Sequence, residues 1–359
     1  MIFRQSVIRK AQSIAADGTS IYDISGDEPI SRISIIPHVT NGASYVPLGH
    51  PDECIPKIEI VDGSDVLISL SASQARALMF YSVKGQPVSC VNYMPGQWSM
   101  CPITLYFGRF LNDPEFALDP RKYNNLQIKI QHVIAASMTG ASVGTMDIVA
   151  DVMSPEYSEP KGLFIAKELI ELDTIADAVN YTDLPTDLPV RILMGHCFSD
   201  TQAPEYNVAS FELYEGNRKN LLIAYDMEQY QQIMASAFPP FHEKIYGEAT
   251  VADRNFWITP AFERVVVVND YWEGNNVVTP ESTGGQKAII SGEARCVFEG
   301  VVQGWAPNGS TPFFFPGIDT PEGYWNLQKE GSGTLKTTFH GDVDTTPTWN
   351  VVAQQLLMY

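Results

Sequence analysis

A chain of 359 residues with 45% hydrophobic and 18% charged side chains has room for two packed domains, and its net charge of −19 argues against free DNA or RNA as the partner of most of its surface. No apolar run approaches the ~20 residues that would span a bilayer as a helix, and the first residues lack the apolar stretch and small-residue cleavage site of a secretory leader. The shortage of charge predicts a surface largely covered by neighbours. The 24 Pro and 26 Gly, scattered among Val-, Ile-, Thr-, Tyr- and Phe-rich runs, predict an all-β sandwich architecture.

Residues 1–16 (MIFRQSVIRKAQSIAA) hold Arg4, Arg9 and Lys10 and no acid, a charge of +3 against −22 for the rest. Phe3, Val7, Ala11 and Ile14 recur at spacings of four, four and three, one face of a helix. The expectation is a basic amphipathic arm that meets an anionic membrane, nucleic acid or a neighbouring subunit, or that packs on its own domain. With the polar connector behind it, the arm occupies residues 1–30. A first domain follows over 31–154, opening on the strand RISIIP (32–37) and including the alternating strand LQIKIQHVIA (126–135) and GTMDIVADVM (144–153).

Residues 155–187 are expected as a linker, beginning with the Pro-rich SPEYSEPKG (154–162); within it periodicity leaves 164–177 open as a short helix or a strand pair. A second domain covers 188–359. It opens on LPVRILM (188–194), which sets Arg191 against Arg32, and ends in strands over 335–339 and 349–359. A Gly-, Pro- and aromatic-rich insertion is expected at 303–333. Its Phe313, Phe314 and Phe315 cannot all point inward, since neighbours in a strand alternate faces; with Trp305 they are candidate subunit contacts, or the loop folds over its own domain.

The strongest regularity is a repeat. KIEIVDGSDVLISLSASQARALMF (57–80) returns as SFELYEGNRKNLLIAYDMEQYQQIMA (210–235). Ile58, Glu59, Ile60 and Gly63 match Phe211, Glu212, Leu213 and Gly216, and after two extra turn residues Val66, Leu67, Ile68, Gln74, Leu78 and Met79 match Leu221, Leu222, Ile223, Gln229, Ile233 and Met234. Each copy reads as strand, Asp-Gly or Glu-Gly turn, strand, then a helix opened by a capping box, Ser71 with Gln74 and Asp226 with Gln229. Two related domains in tandem are the consequence.

Chemical motifs are sparse. The chain has no G-x-G-x-x-G, P-loop, H-E-x-x-H or G-x-S-x-G. His196-Cys197 ends an apolar strand and reads as core. Asp62-Gly63-Ser64-Asp65 and Asp342-Val343-Asp344 read as turns rather than Ca²⁺ ligands, and Glu168 and Glu171 as solvated surface. Cys54, Cys90, Cys101, Cys197 and Cys296, odd in number and without C-x-x-C, read as buried thiols of a reducing compartment.

The tandem units 58–79 and 211–234, with the segment LYFGRFLNDPEFALDP (105–120) and its F-G-R-x-x-x-D-x-E wording, resemble the double jelly-roll major capsid proteins of icosahedral DNA viruses and bacteriophages of the membrane-containing lineage. The resemblance is architectural and spans nearly the whole chain. It implies two tandem eight-stranded jelly-roll β-sandwiches with short helices, three chains forming a pseudo-hexameric capsomer of a virion shell, and no enzymatic activity, cofactor or metal. It also implies that Phe3, Arg4, Val7, Ile8, Arg9 and Lys10 face a membrane or neighbouring capsomers, and that 303–333 decorates the outside or locks the trimer. The implied partners are further copies of the chain, penton or minor capsid proteins and an internal lipid membrane, without sequence-specific nucleic-acid binding; assembly would take place in the host cytoplasm. The rival from the residues alone is a two-domain glycan-binding or glycan-cleaving protein with Trp98, Trp257, Trp272 and Trp305 as sugar platforms and two carboxylates in a groove.

Overall fold

The computed structural model describes residues 2–44, 46–134, 144–270, 277–280, 285–314, 320–343 and 347–359. The first unit contains β1 (Phe3–Ile14), β2 (Asp17–Asp23), β3 (Ile30–Val39), β4 (Lys57–Asp62), β5 (Asp65–Leu70), a short β6 (Cys90–Asn92), β7 (Ile103–Tyr106), β8 (Leu126–Val133) and β9 (Gly144–Met153). The second contains β10 (Gly162–Asp173), β11 (Val179–Leu184), β12 (Val190–Cys197), β13 (Val208–Glu215) and β14 (Asn220–Asp226). After an inserted run it closes with β21 (Ser310–Phe314), β22 (Gly333–Phe339) and β23 (Thr348–Met358).

Each unit is a jelly roll of two four-stranded layers. In the first the layers run β1-β9-β3-β7 and β2-β8-β4-β5; in the second, β10-β23-β12-β21 and β11-β22-β13-β14. Alternation explains the layers. In β8, Leu126, Ile128, Ile130 and His132 are buried while Gln127, Lys129 and Gln131 point away. One apolar cluster, from Ile33 and Ile130 to Leu193 and Trp349, runs through both units. The halves also share a sheet: β5 pairs in parallel with β10, Ile68 opposite Ala166 and Ser69 opposite Lys167, making eight continuous strands.

The repeat read in the sequence is the β4-β5 hairpin with helix α1 (Ala72–Val83), and β13-β14 with α3 (Met227–Ala237); a short α2 (Pro204–Asn207) lies between. Gly63 and Gly216 take φ of 60° and 62°, the left-handed conformation their turns demand. The second strand of each copy carries a bulge at the same place, Leu67 in one and Leu222 in the other. Ser71 and Gln74 form the expected capping box. Asp226 is the N-cap of α3 but makes no side-chain capping bond, so only one of the two expected boxes exists.

Four expectations are corrected. Residues 3–14 form no helix: they are β1, paired with β9 from Phe3 opposite Met153 to Ile14 opposite Gly144. A spacing of four fits one strand face as well as one helix face, and the open N–H and C=O groups of β9 decide the matter. The first unit therefore begins at residue 3, not 31. The span 155–187 is not a linker, because β10 and β11 lie in it; β10 runs as one strand through most of 164–177. Arg191 does not match Arg32: it is the bulged residue of β12, equivalent to the bulged Ser31 of β3.

The large insertion also lies earlier than 303–333. It comprises β15 (Phe241–Ala249), β16 (Arg254–Trp257), β17 (Pro260–Asp270), β18 (Val277–Pro280), β19 (Lys287–Ser291) and β20 (Cys296–Pro307), between α3 and β21. These build two small sheets, β17-β20-β15-β6 and β16-β19-β18, around a core of Tyr93, Ile245, Phe256, Ile290 and Phe298. β6, from the equivalent loop of the first unit, joins through its parallel pairing with β15. Both units thus contribute to one inserted subdomain.

Candidate assembly surfaces

The F-G-R-x-x-x-D-x-E segment is a fastening between the two jelly rolls. A Cβ on Gly108 would lie 2.4 Å from the Phe116 carbonyl oxygen and 2.7 Å from Asp113, so the tight approach requires glycine. Arg109 donates to both oxygens of Asp113 at 2.7 and 3.0 Å and to Glu115 at 2.9 Å, and lies over the Phe116 ring. Burial opposes ionisation of Asp113, yet its bonds from Arg109 hold the carboxyl below its usual range. The ordered loop then binds the start of the second unit: Lys161 N–H donates to Glu115 O, Ala117 N–H to Gly162 O, and Phe164 N–H to Phe107 O.

A second fastening joins the inserted subdomain to the first jelly roll. Glu243 of β15, wholly buried, accepts from Ser89 and Thr259 hydroxyls, both at 2.5 Å, and from Thr259 N–H at 2.7 Å. His50 Nε2 lies 3.4 Å from the same carboxylate. Arg76 of α1 donates to Asp52 at 3.0 Å and to Ser89 at 2.8 Å. Burial works against the His50 imidazolium, but the Asp52 charge and Glu243 outweigh it and hold its pKa above the ordinary value. For Glu243, bonds from His50, Ser89 and Thr259 outweigh burial and hold its pKa down. His50, Arg76 and Glu243 have no solvent contact, so this is a structural lock rather than a reaction centre. Nothing in the sequence announced it, because its members come from five segments up to 209 residues apart.

The sequence-selected aromatics divide. Phe313 is buried on β21 against Phe211 and Tyr230, a core position rather than a subunit contact. Trp305 is half-buried and donates to Phe238 O at 3.1 Å, closing the insertion on its own chain. Phe314 belongs to β21, paired with Ile192, with its side chain outside the described set; Phe315 lies outside the described residues. His196 and Cys197 are core as expected, and burial pushes the His196 pKa down to about 4. None of the five cysteines forms a disulfide, and all but the half-buried Cys90 are buried.

Among the described residues, the tryptophans of the glycan reading do not line the cleft that holds carboxylates. Trp257 donates to Asp200, Trp98 packs edge-on to His38, and Trp272 lies outside the described residues. An acidic cleft of about 440 Å³ beside α2 and α3 gathers Glu205, Asp226, Glu228, Glu263 and His340, with no tryptophan. Burial pushes the Glu205 carboxyl up to about 8, so it is protonated at neutral pH. Among the described residues no cluster of His, Cys, Asp and Glu could hold a metal, and no helix is long and apolar enough to cross a membrane.

Two of the sheet edges matter for assembly. β14 ends its sheet with Leu221, Leu222 and Tyr225 exposed, and β1 ends another with Phe3 and Val7 exposed. Arg4, Ile8, Arg9 and Lys10 belong to that same β1 edge, Arg4 paired with Glu28 and Arg9 lying over the Tyr22 ring. Beside β1 a groove of about 420 Å³ is floored by Gln5, Arg32, Ser34, Val149 and Asp151.

No protein-family model and no curated protein matches this sequence. Solved structures do match. The chain is similar to the MCP of STIV, the Sulfolobus turreted icosahedral virus, with a TM-score of 0.59 at 11% identity, covering 99% of this chain and 97% of that one. It is similar to the major capsid protein P2 of bacteriophage PM2, at 0.56 and 10%, over 100% and 98%. It is likewise similar to the capsid of the virus PBCV-1, at 0.56 and 10%, over 99% and 93%. At such identities the likeness shows the fold: an all-β double jelly roll spanning the chain from end to end.

Proposed function

We propose that this chain is a structural protein, the major capsid protein of an icosahedral virion shell, which assembles as a trimer with six jelly rolls in pseudo-hexagonal outline. The supporting observation is that the whole duplicated architecture aligns end to end with proteins whose names state a capsid role, with little left over on either side. The interior agrees with such a role. Its buried charges fasten loops and subdomains to one another.

The partners in this proposal are first further copies of the chain, then neighbouring capsomers, penton or minor virion proteins, and an underlying lipid membrane. Assembly in the reducing host cytoplasm agrees with five cysteines that form no disulfide. The test is native mass by light scattering. A stable species at three times the 39.8 kDa chain mass is expected; a clean monomer at high concentration would overturn the proposal.

A further inference from the structure

The chain contains one finished copy of a junction whose two halves it presents unfinished elsewhere. In the finished copy β5 pairs with β10, α1 packs beside β7, β12 and β21, and a residual cavity of only about 20 Å³ is left among Ile68, Leu70, Leu78, Ala166 and Gln354. The duplication translates each side. On the covering side, coincident bulges equate Ile68 with Ile223, Leu70 with Tyr225 and, along the helices, Leu78 with Ile233. Ile68, Leu70 and Leu78 are buried, whereas Tyr225 and Ile233 are 39% and 41% exposed.

The floor translates equally well. β1 bulges at Ile8 against β9, and β10 bulges at Leu169 against β23. Counting from those bulges, Ala166 and Lys167 correspond to Gln5 and Ser6, and Gln354 corresponds to Asp151. Gln5 and Asp151 line the 420 Å³ groove, where Ala166 and Gln354 line the 20 Å³ remnant. An uncovered floor and an unused cover therefore lie on the same chain. They belong to different units, so the cover of one copy is free for the floor of another.

From this, and resting on the trimeric capsid reading, we infer that β14 of one copy pairs in parallel with β1 of a second copy, Ile223 opposite Gln5 and Ala224 opposite Ser6, and that α3 closes over the second copy's groove. The contact is head-to-tail, since each chain offers one cover and one floor, and it closes into a ring when the rotation between copies is the threefold of the trimer. It converts β11-β22-β13-β14 and the neighbour's β1-β9-β3-β7 into another eight-stranded sheet like the one inside the chain. It also removes two open edges that would otherwise be free to pair indiscriminately.

The test is a double variant, Ser6→Cys with Ala224→Cys, both at accessible positions. Facing residues on adjacent strands lie ~5 Å apart, within reach of a disulfide. Mild oxidation should turn most of the monomer band on a non-reducing denaturing gel into covalent dimers and trimers. Either cysteine alone should leave it unlinked, and Ser6→Cys with Leu221→Cys, offset by ~10 Å along the strand, should do the same. A species of three chain masses by light scattering without cross-linking would overturn the pairing and leave the trimer standing; a monomer would overturn both. Leu222→Asp supplies a second readout: about tenfold or weaker self-association with an unchanged monomer melting temperature. Undiminished assembly of that variant would also overturn the pairing.

Discussion

Arg109→Ala tests whether the F-G-R segment is a structural fastening. The change removes two bonds to Asp113, at 2.7 and 3.0 Å, one to Glu115 at 2.9 Å, and the stacking on Phe116. Asp113 is fully buried, and breaking a buried ion pair from one side costs about 3–5 kcal/mol. Asp113 nevertheless keeps N–H bonds from residue 109 and from Glu115, so the expected loss is nearer 2–4 kcal/mol. Glu115→Gln, at a carboxylate about one-third exposed, should cost ~0.5 kcal/mol or less. Urea titration and calorimetry measure both, and the Arg109 variant should melt several degrees lower. The Asp113 carboxyl, with its folded pKa below the unfolded value, contributes stability above that unfolded value and loses it as pH falls through the folded one. That acid limb should shrink in Arg109→Ala. Equal losses in the two variants, or under ~1 kcal/mol for the alanine, would refute the reasoning.

Three further outcomes are expected. His50 is held above its ordinary pKa, so the stability it contributes is complete at mildly acid pH and declines as pH rises through its folded value; Glu243→Gln should flatten that decline in pH-dependent melting curves. Glu205, raised to about 8, contributes stability below its unfolded value near 4.5 that is lost as pH rises through about 8, and Glu205→Gln should make the protein less sensitive to alkali. A Cβ on Gly195 would sit 2.0 Å from the buried Trp349 ring, so Gly195→Ala should cost at least ~1–3 kcal/mol by overpacking. Trp349→Phe should recover part of that loss in the alanine background, a coupling read from a double-mutant cycle.

The duplication was legible because its carriers are local. A hairpin turn with glycine at positive φ, a bulged apolar strand and a helix start leave their marks within two dozen residues, and Ile68 and Ile223 occupy equivalent places as the alignment required. Domain boundaries were not legible. The first strands of both units, β1 and β10, carry mixed burial, since one face or end lies at a surface, so neither shows a clean alternation. The Arg191 and Arg32 match failed for a related reason: a bulge shifts register by one residue and has no sequence signature of its own.

By itself the sequence determined that the chain is β-rich, that it contains the same strand-turn-strand-helix unit twice, and that it lacks the common catalytic motifs. Those properties rest on alternation, turn chemistry and residue type, which act over short stretches of chain. The tertiary structure alone decided that residues 3–14 are a strand, that the insertion is the 241–307 subdomain, and that His50, Asp52, Arg76 and Glu243 meet in a buried lock. It also decided that only about 20 Å³ is left at the junction of β5 and β10, against about 420 Å³ in the groove beside β1. Each of these depends on which distant backbone groups and side chains come together, and strand pairing and burial are properties of partners rather than of the segment that carries them.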